Sequence, residues 1–367
     1  MKTSTTSTGS TGPTDSAASA AEGPTKTSAT PSAAPRKSVL SRLLNTFLDP
    51  STAVYPIMVA LFVVLILLNP TLGEPDQFTR LIGRMAPIVI VTLGQYFVLV
   101  SGEFDLSQGA VIGVQVVVAG SFIGDDNSRI VPGLLLMLAI GVGVGAFNGL
   151  ATAYLKIPGF MTTLGTMFML GGMTRYLTGG AASGNPSEQF REVGRGGIDV
   201  PLLGYLPWSV LVLAGCLVVA AVLARRPVGR LLVARGDNPT AVSLAGANRG
   251  WLMARGFIAS SLFATVAAIV LVGFAGTHPT VGQGYQYTAI AAAVVGGVVL
   301  GGGRGLVLSA AAGAFVLETL VAVLNASGID TSWRATVQGL LIILALTLTA
   351  ARTKLGPLLT LRRRSTS

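Results

Sequence analysis

Two carboxylates fall inside an otherwise apolar stretch, at Glu103 and Asp105 within Gly102–Gly109. Acids buried in a membrane are costly and usually functional. Glu103 and Asp105 would suit a proton relay in a carrier working alone. They equally suit a cytoplasmic rim, where Asp105 or Ser107 caps a helix beginning near Leu106; the cap is the favoured reading. The glycines between Gly296 and Gly305 invite comparison with a phosphate cradle, but the stretch lacks the Gly-Lys-Ser/Thr ending of a P-loop. With no Walker motif in the chain, any ATP must be hydrolysed by another polypeptide. No Ser–His–Asp or paired-carboxylate arrangement argues for an enzyme. Cys216 is the only cysteine and His278 the only histidine. The sequence therefore lacks the ligand clusters of zinc or haem sites.

A second polar stretch, 235–249, is framed by Arg225, Arg226, Arg230, Arg235, Arg249 and Arg255. Asp237 or Asn238 can cap a short helix with Pro239 at its first position. Ala241, Leu244 and Ala245 then share one small apolar face. Two readings stand: a surface helix that docks into a groove on a partner, or a solvated loop.

The elements that must position these residues are apolar. Of 367 residues, 51% are hydrophobic and only 11% charged, with mean hydropathy +0.69. Soluble domains carry about 25% charged residues. Runs long enough to cross a hydrocarbon core of about 30 Å lie near 54–69, 81–100, 106–124, 131–154, 160–178, 203–223, 254–275, 285–301, 305–325 and 333–351. The expectation is an all-α polytopic membrane protein of about ten spans, with breaks around Pro87 and Gly102–Gly109. Placing the N-terminus inside puts 18 basic residues in inside segments and seven outside. That bias has the positive-inside sign and makes both termini cytoplasmic. The largest outside loop is then 179–202 and the largest inside loop 224–253.

The net charge of +10 follows from the same loop bias. Without an aromatic-interleaved basic patch it does not point to nucleic acid. Residues 1–36 are rich in Ser, Thr, Pro and Ala and read as a disordered cytoplasmic tail, not a secretory signal. Residues 37–352 form the transmembrane domain, and 353–367 a basic cytoplasmic tail. The 47 glycines cluster within spans, at Gly141, Gly143, Gly145 and Gly149, at Gly165, Gly171 and Gly172, and at Gly296 and Gly297. Close helix packing is the main reading and a substrate-lining backbone the other. The composition suits a bacterial chain.

Five stretches, in order, resemble the ribose-type sugar permeases of ATP-binding cassette (ABC) importers. They are Gly102-x-x-Asp105-Leu106-Ser107-x-Gly109; Asn148-Gly149 with Lys156-Ile157-Pro158-x-Phe160-x-x-Thr163-Leu164-Gly165; Gly236-x-Asn238-x-x-Ala241-x-x-Leu244-Ala245-Gly246; Pro279-Thr280-x-Gly282-Gln283-Gly284-Tyr285; and Gly302-Gly303-Arg304-Gly305. Three places depart from the family pattern: Glu103 stands where Gly is usual, Tyr287-Thr288 where an acid is common, and Ala245-Gly246-Ala247 where Ser-Gly-Ile is usual. The resemblance implies a permease without a cofactor of its own, working beside a second permease copy in the cytoplasmic membrane. It implies ABC ATPase subunits that use ATP and Mg, and an extracytoplasmic solute-binding protein. It assigns ATPase coupling to Gly236, Asp237, Asn238, Ala241, Leu244 and Gly246. It points to Asp105, Asn148, Thr163, Gln283 and Tyr285 as pathway or gate. Branched-chain amino-acid and nucleoside permeases share the broader group and remain as alternatives.

Overall fold

The computed structural model describes residues 50–329, apart from Ser183, Leu202 and Leu203, and six positions between 333 and 347. The expected tails 1–36 and 353–367, and most of the span at 333–351, lie outside the described residues. The described residues belong to one compact unit.

The first helix, α1, is Pro50–Leu68. After a 3₁₀ turn, α2 runs Pro75–Leu99, with Pro75 in its first turn and Asp76 beside the positive end of its dipole. The break expected at Pro87 is absent: α2 passes through it unbroken. Residues Met85–Leu99 are all buried, so neighbouring helices hold the segment around the missing hydrogen bond. A loop over 100–107 leads to α3, Gln108–Val118, which ends in a π turn over Ala119–Ile123.

Next come α4, Ile130–Tyr154, and α5, Gly159–Thr178. The loop expected at 179–202 contains structure. It holds α6, Glu188–Arg195, capped by Ser187, and β1, Gly197–Val200. β1 pairs antiparallel with β2, Gly204–Pro207, in the register Gly197 to Pro207 and Val200 to Gly204. The expected span 203–223 therefore begins as a strand, and its helix, α7, is Trp208–Arg225. The loop expected at 224–253 holds α8, Pro227–Asp237, and α9, Pro239–Leu244. The chain ends its described course with α10, Arg249–Ala275, α11, Tyr285–Val295, and α12, Val307–Ala326.

Among the described residues, six segments are long and apolar enough to cross a membrane: 51–68, 75–99, 127–154, 208–225, 249–275 and 307–326. The expected span 285–301 is instead the 11-residue α11, which rises only about 16 Å. It stops at Gly296, followed by Gly297 in a left-handed conformation (φ 85°) that ordinary side chains avoid. The expected span 106–124 is likewise a short apolar helix, Gln108–Ile123.

At the centre lie α2 and α10, both largely buried. Little of α1, α4 and α7 is buried, and Leu67, Leu135 and Val218 are among their bare side chains. An apolar exterior around a better-packed middle is what a hydrocarbon solvent permits. Glycine brings α4 onto α10. Gly141, Gly145 and Gly149 recur every four residues, and a Cβ on each would meet Thr265, Ile258 or Ala254 respectively. Gly143, off that stripe, faces open space.

Candidate functional site

The loop 100–107 carries the best-connected polar group. Asp105 is fully buried. Its Oδ1 accepts from the Ser107 backbone N–H at 2.8 Å and from Ser107 Oγ at 2.6 Å. Its Oδ2 accepts from Ser260 Oγ of α10 at 2.6 Å. Ser107 Oγ in turn accepts from Asn148 Nδ2 at 3.0 Å, and Asn148 Oδ1 from Thr166 Oγ1 at 2.6 Å. Gln108 Nε2 reaches both Ser260 Oγ and the Val91 carbonyl. Gln95, its amide turned to suit its neighbours, donates to Gln108 Oε1 and to the Asp105 carbonyl. The network joins α2, the 100–107 loop, α3, α4, α5 and α10.

The favoured cap reading is therefore corrected. The helix begins at Gln108, not Leu106, and its N-cap Ser107 makes no side-chain cap bond. Asp105 lies in the interior, bracing the loop. The carboxylates of Glu103 and Asp105 take separate partners. Glu103 Oε1 pairs with Arg235 Nη2 at 3.1 Å, and its Oε2 accepts from the Gly159 N–H at 2.8 Å. Arg235 Nη1 also donates to the Ser101 carbonyl.

Asn148 and Thr163, like Asp105, are fully buried. Thr163 Oγ1 accepts from the Leu106 N–H at 3.0 Å. These three residues are brought together, in the interior and off the wall of a separate cavity. That cavity, about 370 Å³, opens between α3, α5 and the 279–287 stretch. The volume lies near the lower end of the ~300–1,000 Å³ range of small-molecule sites. Gln283 lines it; Tyr285 is half-buried and packs toward the apolar core instead. Its polar lining comes from Thr174, Arg175, Thr280, Gln283 and Gln286, its aromatic lining from Phe168 and Tyr287. Gly109, Gly113, Gly171 and Gly172 expose backbone to it. Gln286 is buried, and its Oε1 finds no hydrogen-bond partner among the described residues. A buried amide oxygen left unpaired carries a cost, which a ligand hydroxyl would remove.

Sequence reasoning missed Arg175, Gln286 and the amides Gln95 and Gln108. The signal available was polar side chains within apolar runs. Gln108 and Gln115, seven residues apart, share a face of α3, and Gln115 Nε2 donates to Thr265 Oγ1 at 2.9 Å.

In the 235–249 segment, the expected cap is present. Asn238 Oδ1 accepts from the Ala241 N–H at 2.9 Å, with Pro239 opening α9. Asp237 is the last residue of α8 and does not cap α9. The expected apolar face of Ala241, Leu244 and Ala245 is exposed throughout, Leu244 by 83%, while Val242, outside that face, packs inward. Gly246 follows in a left-handed conformation (φ 81°). Gly236 is pressed into the body of the protein, where a Cβ would collide with the Val100 carbonyl and the Gly302–Gly303 backbone. A hydrogen bond from the Gly303 N–H to the Val100 carbonyl, 2.9 Å, closes this junction.

Comparison with known proteins agrees with this architecture. Residues 77–346 match the family described as branched-chain amino acid transport system / permease component. The chain is 28% identical over 298 residues to the ribose import permease protein RbsC of Haemophilus influenzae, covering 78% of this chain and 89% of that one. It is 32% identical over 291 residues to the autoinducer 2 import system permease protein LsrC of an Enterobacter species, covering 78% and 82%. The ribose import permease of Escherichia coli is 29% identical over 292 residues, covering 78% and 90%. No solved structure matches the chain significantly.

Proposed function

The chain belongs to the family described as branched-chain amino acid transport system / permease component, and on that premise we propose that it is the membrane-spanning permease subunit of an ABC importer for a monosaccharide. The observation that carries this reading is the similarity to ribose and autoinducer 2 import permeases, which covers more than four-fifths of their lengths. In this reading the chain is a transport component of the cell membrane, and a separate ATPase binds ATP and Mg. A binding protein outside the membrane delivers the solute, and a second permease copy completes the pathway. Hydrolysis on the partner shifts the permease between inward- and outward-facing states. A ligand biases such an equilibrium only by its differential affinity for the two states.

The cavity supports a sugar over an amino acid. A free amino acid presents an ammonium as well as a carboxylate. The lining offers the Arg175 guanidinium but neither Asp nor Glu. Amides, hydroxyls and guanidinium instead match a ring of hydroxyls, while Phe168 and Tyr287 suit its apolar face.

Proteoliposomes holding the permease, its ATPase and its binding protein test this reading. The expected result is ATP-dependent accumulation of a labelled pentose or hexose, and none of leucine. Gly171 has open space where a side chain would project. Gly171→Phe should fill the cavity and reduce accumulation at least tenfold, with the ATPase still bound. Preference for leucine over every sugar would overturn the substrate class. Uptake without an ATPase, abolished by a protonophore, would overturn the importer.

A further inference from the structure

The Glu103 carboxylate holds two elements at once. One oxygen takes the guanidinium of Arg235 in the last turn of α8, and the other takes the N–H of Gly159, the first residue of α5. Both charged side chains are largely buried, 10% exposed for Arg235 and 16% for Glu103. Arg235 also bonds the Ser101 carbonyl, and Thr163 of α5 accepts from the Leu106 N–H. The 100–107 loop is thus fastened to α8 at one end and to α5 at the other, and α3 begins where the loop ends.

What these elements reach gives the arrangement a direction. Gly109, Ala110 and Gly113 of α3, and Met167, Phe168 and Arg175 of α5, line the cavity. On the opposite side, Arg235 is followed by Gly236, wedged against Val100 and Gly302–Gly303, and then by the α9 segment with exposed Leu244. Displacing α8 at Arg235 pulls on the starting ends of α3 and α5. A largely buried ion pair is weak evidence for stability, because desolvation offsets its attraction. The geometry it fixes is the better account of it.

We propose that the Glu103–Arg235 pair is a positioning strut that transmits movement of the 235–249 segment to α3 and α5, two of the helices lining the cavity. The proposal rests on the importer reading. Coupling of this kind is established by measuring it, not by spatial intermediacy, so the test is a double-mutant cycle. The readout is sugar moved per ATP hydrolysed in the reconstituted importer. Glu103→Gln should keep the ATPase bound and hydrolysis within about twofold of wild type, while sugar moved per ATP falls by tenfold or more. Arg235→Gln should do the same, and the double variant should be no worse than either single. A Leu213→Ala variant, which opens a void in α7 away from the loop and the cavity, controls for lost stability and should keep the wild-type ratio.

An unchanged ratio in Glu103→Gln, or losses that simply add, would overturn the strut. So would release of the ATPase, since the pair would then only hold the docking segment in shape. If Glu103→Gln does not fold, Arg235→Lys replaces it, keeping the charge but not the two-pronged contact; an unchanged ratio there is equally fatal. A wild-type protein that moves sugar without ATP removes the importer reading and the strut together. Wild-type coupling with unaffected variants removes the strut alone.

Discussion

At the residue scale, Asp105 shows how a polar group is accommodated in an apolar protein. Three donors converge on its carboxylate, from the Ser107 backbone, Ser107 Oγ and Ser260 Oγ. Asp105→Ala leaves those donors without their acceptor in a fully buried site. A buried polar group left unsatisfied costs about 1–3 kcal/mol, so the loss should be on the order of 2 kcal/mol or more. Asp105→Asn keeps an oxygen toward Ser107 and places an N–H₂ that Ser260 Oγ can accept from, so its loss should be smaller. Thermal unfolding of the detergent-solubilised protein separates the two; equal midpoints for both variants would contradict the bonded network. The motif around Asp105 was visible in the sequence, but its use was not. A carboxylate two residues before a Ser at a helix start reads as a cap or as a relay, and only Ser260 and Asn148, brought in from α10 and α4, decide between rim and interior. Gln286 was invisible for a similar reason, because an amide in Tyr285–Val295 gains meaning only from the cavity that α3 and α5 complete.

At the element scale, the long apolar runs were legible because a run of about 20 apolar residues has few other fates. Pro50–Leu68, Ile130–Tyr154 and Val307–Ala326 fall close to their expected bounds; Gly159–Thr178 does so too, without being apolar enough to stand among the six membrane-crossing segments. The misreadings occurred where packing outweighs local preference. Pro87 leaves α2 unbroken within a buried environment, whereas Gly296 and Gly297 end α11 inside a run that hydropathy alone would continue. The α4–α10 contact carries a test of its own. Gly149 meets the Ala254 backbone, while Gly143 on the same helix is exposed and meets nothing. Gly149→Leu must push the two helices apart and should lower the unfolding midpoint sharply or prevent accumulation in the membrane. Gly143→Leu should be neutral or slightly stabilising, since Leu favours helix over Gly by somewhat under 1 kcal/mol. Equal effects of the two substitutions, read by expression level and thermal unfolding, would remove the glycine stripe as the reason for the close approach.

At the scale of the whole molecule, the protein has a closed polar interior, a cavity on one side of it and an exposed short helix, α9, joined to it through Gly236 and Arg235. Leu244 is the feature of α9 that folding does not account for: it is 83% exposed while its neighbour Val242 is buried. Because Leu244 contributes little to the fold, Leu244→Asp should change stability by no more than about 0.5 kcal/mol. Asn238→Ala removes the cap bond to the Ala241 N–H, which costs about 1 kcal/mol and frays α9 without disturbing Gly236. The double variant should therefore insert, unfold near the wild-type temperature, and lose its partner ATPase by tenfold or more in a mild-detergent pull-down. Transport should fall with it. Val242→Asp serves as the contrast, since burying a charge there should damage folding as well as binding. Retention of the ATPase at wild-type stoichiometry by the Asn238→Ala, Leu244→Asp protein would mean that α9 is a solvated loop, and the docking surface would have to be sought elsewhere on the molecule.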